Sequence, residues 1–380
     1  MGIQDIGDNV RRHMKIRGLT IPQLSAMMGM GTAALSNLLN GKAEPKSSTL
    51  IKLADALSVP FDELLSDAPK LSSLRFRTAK TLSGREKAER DQLLHDTAIW
   101  LSDYCFLEKE LDEKLPYLLS SISDVNPRSA AMAVRDVFKL DPTDPIYDIS
   151  ELIERAGIKL RIRPFGFKKI FGLSIGDKNG GPGIVVNSEE GIPVERQLFT
   201  IAHELGHLVL HKASYNNLVD VENKDEEDAA NLFAGTFLVS DAALEKEWEE
   251  SKGLAFVDKV LKIKKVFKVS YKTILIRHFQ MDNTISLVDL IIRFSQDYKT
   301  KYKHDLKRHY EPEAIPNAET EPVAEEDPQE LDVSDLMEER FARLVREAYE
   351  KEIISMSRAG EMLNLSIEDM RMLVRAWQAL

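Results

Sequence analysis

The stretch that decides the reading is Thr200-Ile201-Ala202-His203-Glu204-Leu205-Gly206-His207-Leu208-Val209-Leu210-His211. It contains the pattern H-E-x-x-H. On a helix, residues four apart lie one turn apart on the same face, so His203 and His207 can offer two imidazole nitrogens to one metal ion. Glu204 sits beside them, placed to act as the catalytic base of a zinc hydrolase. Leu198, Ile201, Leu205 and Leu208 can bury another side of the same helix, which leaves the histidines at the boundary between core and cleft. The plainer alternative is a helix with two satisfied surface histidines, and the rest of the chain decides between them.

Working outward, Ile158, Leu160 and Ile162 alternate with Lys159, Arg161 and Arg163, the two-residue period of a half-buried strand. Two more short strands are predicted over residues 171–175 and 183–187, separated by the turn Lys178-Asn179-Gly180-Gly181. The expectation is a small antiparallel sheet leading into the motif helix near Val194. Helices are predicted before the sheet over residues 129–138 and 148–157, and after the motif from about Asp225. Catalytic zinc takes three protein ligands and leaves one position for water. A third histidine six residues after His207 is ruled out, because Ala213 stands there. His211 lies one turn further along a straight helix and is read as a packing or supporting residue. Carboxylates remain, with Glu222, Asp225, Glu226, Glu227 and Asp228 all available.

The chain has 380 residues, enough for two or three domains. One cysteine, Cys105, excludes an internal disulfide and a thiolate-built structural zinc, and suits a reducing compartment. No apolar run is long enough to span a membrane and none follows the amino-terminal basic residues, so a cytoplasmic protein is expected. The net charge of −11 argues against general affinity for nucleic acid, although an acidic tail can hide a nearly neutral module.

Such a module occupies residues 1–67, where five short helical periods are separated by turn signals. Ile6, Val10 and Met14 share one face. Thr20 caps a helix carrying Leu24 and Met27 that Gly29 ends; the next carries Leu35 and Leu38 and stops at Gly41. Leu50, Leu53 and Leu57, then Phe61, Leu64 and Leu65, close the bundle. Two short helices around a turn form a helix-turn-helix, whose second helix enters the major groove. Residues 19–42 and 50–57 resemble the Cro/CI, or xenobiotic-response-element, class of repressors. By position, the resemblance implies that Thr32, Ala33, Ser36 and Asn37 face base edges of double-stranded operator DNA. It sets Arg11, Arg12, Lys15 and Lys42 near phosphates, with a homodimer combining two half-sites.

Residues 68–125 are expected to be a connector of two or three helices, with Trp100 and Tyr104 in its core. The cluster Arg75-Phe76-Arg77 is read as a solvated face. Residues 313–335, rich in Glu, Asp, Pro and Ala, are expected to be an acidic flexible linker. Residues 336–380 are expected to be a small helical unit for interaction, with a helix-turn-helix-like pattern at 354–366.

The region 126–312 carries a second resemblance. Gly183-Ile184-Val185-Val186-Asn187-Ser188, residues 196–211 around H-E-x-x-H, and Glu227-Asp228-Ala229-Ala230-Asn231-Leu232-Phe233-Ala234 together resemble the ImmA/IrrE family of metallopeptidases. The resemblance implies Zn2+ held by His203, His207 and Glu227, with Glu204 as base. The other acids then fall to the favourable electrostatics of a helix N-terminus. The group stabilising the oxyanion is left among Tyr215, Tyr271 and His278. The expected whole is an α+β, predominantly α protein: a DNA-binding regulator whose peptidase cleaves a regulatory protein, a helix-turn-helix repressor by implication, in a stress or mobile-element response. The alternative is a non-catalytic repressor or antitoxin that uses the metallopeptidase fold as a sensor or partner-binding module.

Overall fold

A computed structural model describes residues 3–65, 74–76, 83–123, 125–216, 223–303, 305–306 and 339–378. The acidic segment 313–335, Arg77 and Glu222 lie outside the described residues, as do the side chains of Arg12 and Lys15. The chain divides into two compact units. One comprises Met1–Leu71, Thr78–Asp103 and Phe165–Lys169; the other Ser72–Arg77, Tyr104–Pro164 and Ile170–Leu380. None of the described helices is long and apolar enough to cross a membrane.

The first unit opens with five helices, α1 (Ile3–Ile16), α2 (Ile21–Met28), α3 (Thr32–Leu39), α4 (Ser47–Leu57) and α5 (Phe61–Leu64). Their apolar faces meet in a core of Val10, Leu24, Leu35, Leu39, Leu53 and Leu57. The Thr20 N–H donates to the Gln23 side chain at 2.8 Å and fixes the start of α2. Gly29, at φ 62°, ends it with its N–H on the Ala26 carbonyl at 3.2 Å. After the head, α6 (Gly84–Glu110) runs as one helix where two or three were expected. Its apolar residues do not keep to one stripe, which reads as breaks, yet no proline and no glycine beyond the first residue interrupts it. Trp100 and Tyr104 are both buried.

The second unit holds the sheet. Its strands are β1 (Leu74–Phe76), β2 (Lys159–Arg163), β3 (Gly172–Ile175) and β4 (Gly183–Asn187), in the order β1-β3-β4-β2. The expectation of an antiparallel sheet is corrected here: β4 is antiparallel to β3 but parallel to β2. The chain leaving β2 skips one position in the sheet, and β4 turns back from β3 into that gap, which sets it parallel to β2. Alternating apolar residues reveal a strand, not the direction of its neighbour. The fourth strand, β1, comes from the stretch expected to be purely helical connector and pairs antiparallel with β3.

Helices α7 (Pro127–Val137) and α8 (Ile149–Arg155) precede β2; α9 (Val194–Leu210), α10 (Lys224–Leu238), α11 (Asp241–Glu250), α12 (Phe256–Phe267), α13 (Tyr271–Met281) and α14 (Leu287–Tyr302) follow the sheet. The close approach of α9 and α10 depends on Gly206. A Cβ there would lie 2.9 Å from the Phe233 ring, a contact real side chains do not make. Ala230, Phe233, Ala234 and Phe237 of α10 are all fully buried. The far end of α10 is held by two buried arginines. Arg135 donates to the Phe237 carbonyl at 2.8 Å, and Arg277 Nε to that of Val239 at 3.0 Å, satisfying carbonyls that a helix terminus leaves open.

The last three helices are α15 (Arg340–Glu350), α16 (Met356–Leu363) and α17 (Ile367–Gln378). Arg340 anchors them in the second unit: it is buried, with Nη1 2.7 Å from Glu108, and Glu108 is in turn 2.9 Å from Lys159.

Candidate metal centre

Helix α9 places His203 and His207 one turn apart, with their Nε2 atoms 3.0 Å from each other. Helix α10 brings Glu227, in its first turn, to the same point; its carboxylate oxygens lie 3.2 Å from each Nε2. All three side chains are buried, and their donor atoms lie within 4.8 Å of one another.

The other ring nitrogens have partners of their own. His203 Nδ1 lies 3.0 Å from the Asn231 amide oxygen, an acceptor, so Nδ1 carries a hydrogen and Nε2 is turned towards Glu227. His207 Nδ1 is 2.9 Å from His211 Nδ1. Burial pushes the His207 imidazole down to about 3 and that of His211 to about 4, so both are neutral at pH 7, the form that ligates metals. Burial alone would raise the Glu227 pKa, but hydrogen bonds with His203 and His207 outweigh it and hold the carboxyl well below its ordinary range. Two imidazoles and a carboxylate therefore meet at one buried point. A divalent cation fits that donor set.

Around this point the sheet supplies a second set of partners. Glu204 Oε2 accepts from Ser174 Oγ of β3 at 2.6 Å, and Ser174 Oγ accepts from the Tyr215 hydroxyl at 2.8 Å. Burial raises the Glu204 carboxyl above its usual value, against the His203 and Ser174 contributions. Glu204 and His203 line a narrow cleft, with room for about one water, together with Phe171, Gly172, Arg196, Phe199 and Thr200. Gly172 lets β3 lie this close, since a Cβ there would come 2.5 Å from the Thr200 methyl and 3.3 Å from Glu204 Oε1. Across from Ser174, Arg75 of β1 forms an ion pair with Glu226 and places its second guanidinium nitrogen 3.6 Å from Glu227. Glu226 also accepts from Ser214 at 2.8 Å.

The predicted residues thus separate. His203, His207, Glu204 and Glu227 come together, whereas Asp225 and Asp228 are exposed and Glu226 is spent on Arg75 and Ser214. His211 supports His207 from behind. Among the three oxyanion candidates, Tyr215 is committed to Ser174, Tyr271 stacks on Phe294 at 4.7 Å and His278 stacks on Trp248 at 4.0 Å. Arg75, expected on a solvated face, is instead half-buried at the centre's edge. Ser174, Asn231 and Arg75 were missed because a single Ser, Asn or Arg carries no spacing signal; only the E-x-x-A-x-x-F-A frame around Asn231 could have drawn attention to it. In the head, Thr32, Ala33, Asn37 and Lys42 are exposed and Ser36 is half-buried on the outer side of α3, while Arg11 bonds Asn40.

Residues 153–279 match the peptidase family described as IrrE N-terminal-like domain, and residues 10–64 match a helix-turn-helix family. The HTH-type transcriptional repressor RghR of Bacillus subtilis (strain 168) is 30% identical over 135 residues, which make up 34% of this chain and 98% of that protein. The chain belongs to the Cro/CI-type helix-turn-helix proteins and carries an IrrE-like peptidase domain. A second relative, named uncharacterized HTH-type transcriptional regulator RghRB, from the same organism, is 38% identical over 63 residues, 16% of this chain and 45% of that protein. The IrrE-like match contains both histidines, Glu204, Glu227, Ser174, Tyr215 and Asn231. Arg75 falls outside it, in the stretch between the two matched domains.

Proposed function

We propose that the chain is a transcriptional regulator whose head (residues 1–67) binds operator DNA and whose IrrE-like domain is a zinc-dependent metallo-endopeptidase acting on a regulatory protein. The observation that carries the enzymatic part is the convergence of His203, His207 and Glu227 beside a buried Glu204 that lines an adjoining cleft. His203, His207 and Glu227 would hold Zn2+. When bound, the ion supplies a Lewis acid that makes water a nucleophile near neutral pH and polarises a carbonyl. Glu204 takes the proton of the attacking water and delivers it to the leaving amine. Its raised pKa suits both roles, and Ser174, steadied by Tyr215, fixes the direction in which its carboxylate points. In the head, Thr32, Ala33, Ser36 and Asn37 read base edges and Lys42 meets a phosphate, in a dimer that spans two half-sites.

The test compares the parent with Glu204→Gln. Both should bind one zinc per chain, and only the parent should shorten a repressor-type protein encoded nearby. Equal effects of the two forms on every such target would remove proteolysis from the function. A second reading is favoured by the relatives' names: a repressor or antitoxin that binds DNA through the head and uses the peptidase fold to sense a ligand or hold a partner. Under it, Glu204→Gln regulates as the parent does, while Thr32→Ala with Asn37→Ala abolishes regulation.

A further inference from the structure

Strand β3 forms one wall of the cleft: Gly172 lines it, and Ser174 touches Glu204. One edge of β3 pairs with β4. The other is the edge on which an extended peptide could add itself by main-chain hydrogen bonds, and it is already taken by the chain's own Leu74, Arg75 and Phe76. The pairing is antiparallel, with Leu74 opposite Ile175, Arg75 opposite Ser174 and Phe76 opposite Leu173. Directly opposed residues share a face of the sheet, so Arg75 is delivered to the same side as Ser174. There its guanidinium meets Glu226, which Ser214 holds at 2.8 Å, and lies 3.6 Å from Glu227. Main-chain pairing plus one basic side chain in an acidic pocket is how a sheet edge recognises a peptide.

We propose that Leu74–Phe76 is an internal pseudosubstrate, and that peptides bound there in trans are extended segments with arginine or lysine opposite Ser174. This rests on the reading of the cleft as a peptide-hydrolysing site, and it names both the substrate class and the regulation of that site. Glu226 is then the specificity-determining residue.

The test uses the full-length, zinc-loaded chain carrying Glu204→Gln, so that turnover cannot be mistaken for weak binding. The probe is a fluorescein-labelled decapeptide of residues 71–80, Leu-Ser-Ser-Leu-Arg-Phe-Arg-Thr-Ala-Lys. Releasing the internal strand with Arg75→Ala and Phe76→Pro should tighten peptide binding by about tenfold or more, because a tethered competitor at high effective concentration is removed. A peptide carrying Arg75→Glu should not bind. Equal affinity in the two chains, or equal binding of the two peptides, overturns the proposal. Should the released variant fail to fold, hydrogen exchange on the chain with native β1 decides. Saturating peptide should accelerate amide exchange at 74–76 and a scrambled peptide should not; unchanged exchange also overturns it. Binding as expected with no peptide cleaved by the Glu204 chain would retire the hydrolytic reading and overturn the name pseudosubstrate, leaving Leu74–Phe76 as an internal competitor for bound peptide.

Discussion

The second unit buries two groups of ionisable side chains, and they follow opposite rules. Around Glu108 the signs alternate: Lys159 lies 2.9 Å from one carboxylate oxygen and Arg340 2.7 Å from the other. The Tyr104 hydroxyl and the Glu113 carbonyl take further Arg340 donors, and Glu154 accepts from the backbone N–H of Arg340 at 3.1 Å. Each cation there has a carboxylate beside it, so the buried charges are paired within the protein. On α9 and α10, two imidazoles and a carboxylate converge on one point instead. His203, His207 and Glu227 are as buried as Glu108, but their ligand atoms gather within 4.8 Å of one another, a set that could hold a cation. Burial of charge therefore does not by itself distinguish the two clusters; the kinds of group each gathers do.

Breaking the Glu108 network should have the largest effect. Removing one partner of a buried pair leaves the other uncompensated, so Arg340→Ala should cost about 3–5 kcal/mol of stability in urea unfolding while zinc affinity stays unchanged. An unaltered unfolding midpoint would reduce the Glu108 cluster to a dispensable contact. The candidate metal centre should respond with the opposite pattern. Glu227→Ala should weaken zinc binding by on the order of 10²–10³-fold, roughly one ligand's share of a structural zinc's binding energy, in a chelator competition. The metal-free chain should lose clearly less stability than Arg340→Ala does, because the His207 left behind is neutral and leaves no uncompensated charge. If it instead loses as much as Arg340→Ala, one rule governs both clusters and the contrast fails.

Smaller effects refine the picture. Asn231→Ala frees the His203 ring to rotate and lets the hydrogen move to Nε2, which should lower zinc affinity by about 10–100-fold without touching the ligands. Titration then tests the burial of the histidines. His207 and His211 are held below their unfolded value of 6.5, at about 3 and about 4. Such groups contribute stability that is fully present above pH 6.5 and is lost as pH falls towards their folded values, because the unfolded chain takes up the protons first. Glu204, raised by burial, works in the other direction, so the readout is a difference. Metal-free His211→Asn should lose less melting temperature between pH 6.5 and 4 than the parent does, and parallel curves would count against a buried neutral His211.

What could be read from the sequence follows from how local each signal is. His203, Glu204 and His207 share one helix, so their spacing alone aligns them. Gly206 and the frame of Ala230, Phe233 and Ala234 mark where two helices touch, which is why Glu227 emerged from the motif rather than from its own neighbourhood. The five helices of the head carry their caps and stops in sequence, at Thr20 and Gly29 among others. The direction of β4 and the very existence of β1 were out of reach. Three residues are too few to show a period, and Leu74-Arg75-Phe76 gains its meaning only from the edge of β3, about a hundred residues further along. The same distance hid Arg75 as a neighbour of Glu227.

The fastening of α10 has a mechanical side. Arg135 and Arg277 clamp the helix at Phe237 and Val239, while Glu227 rides near its opposite end. Ten residues of helix make an arm of about 15 Å, so a tilt of about 5° at the clamp would swing the carboxylate by about 1.3 Å. Metal–ligand distances tolerate about 0.2 Å. The helix is a lever whose fulcrum lies far from its working end, and a repacking around Arg135 that never touches the cleft would be felt there as a donor out of reach.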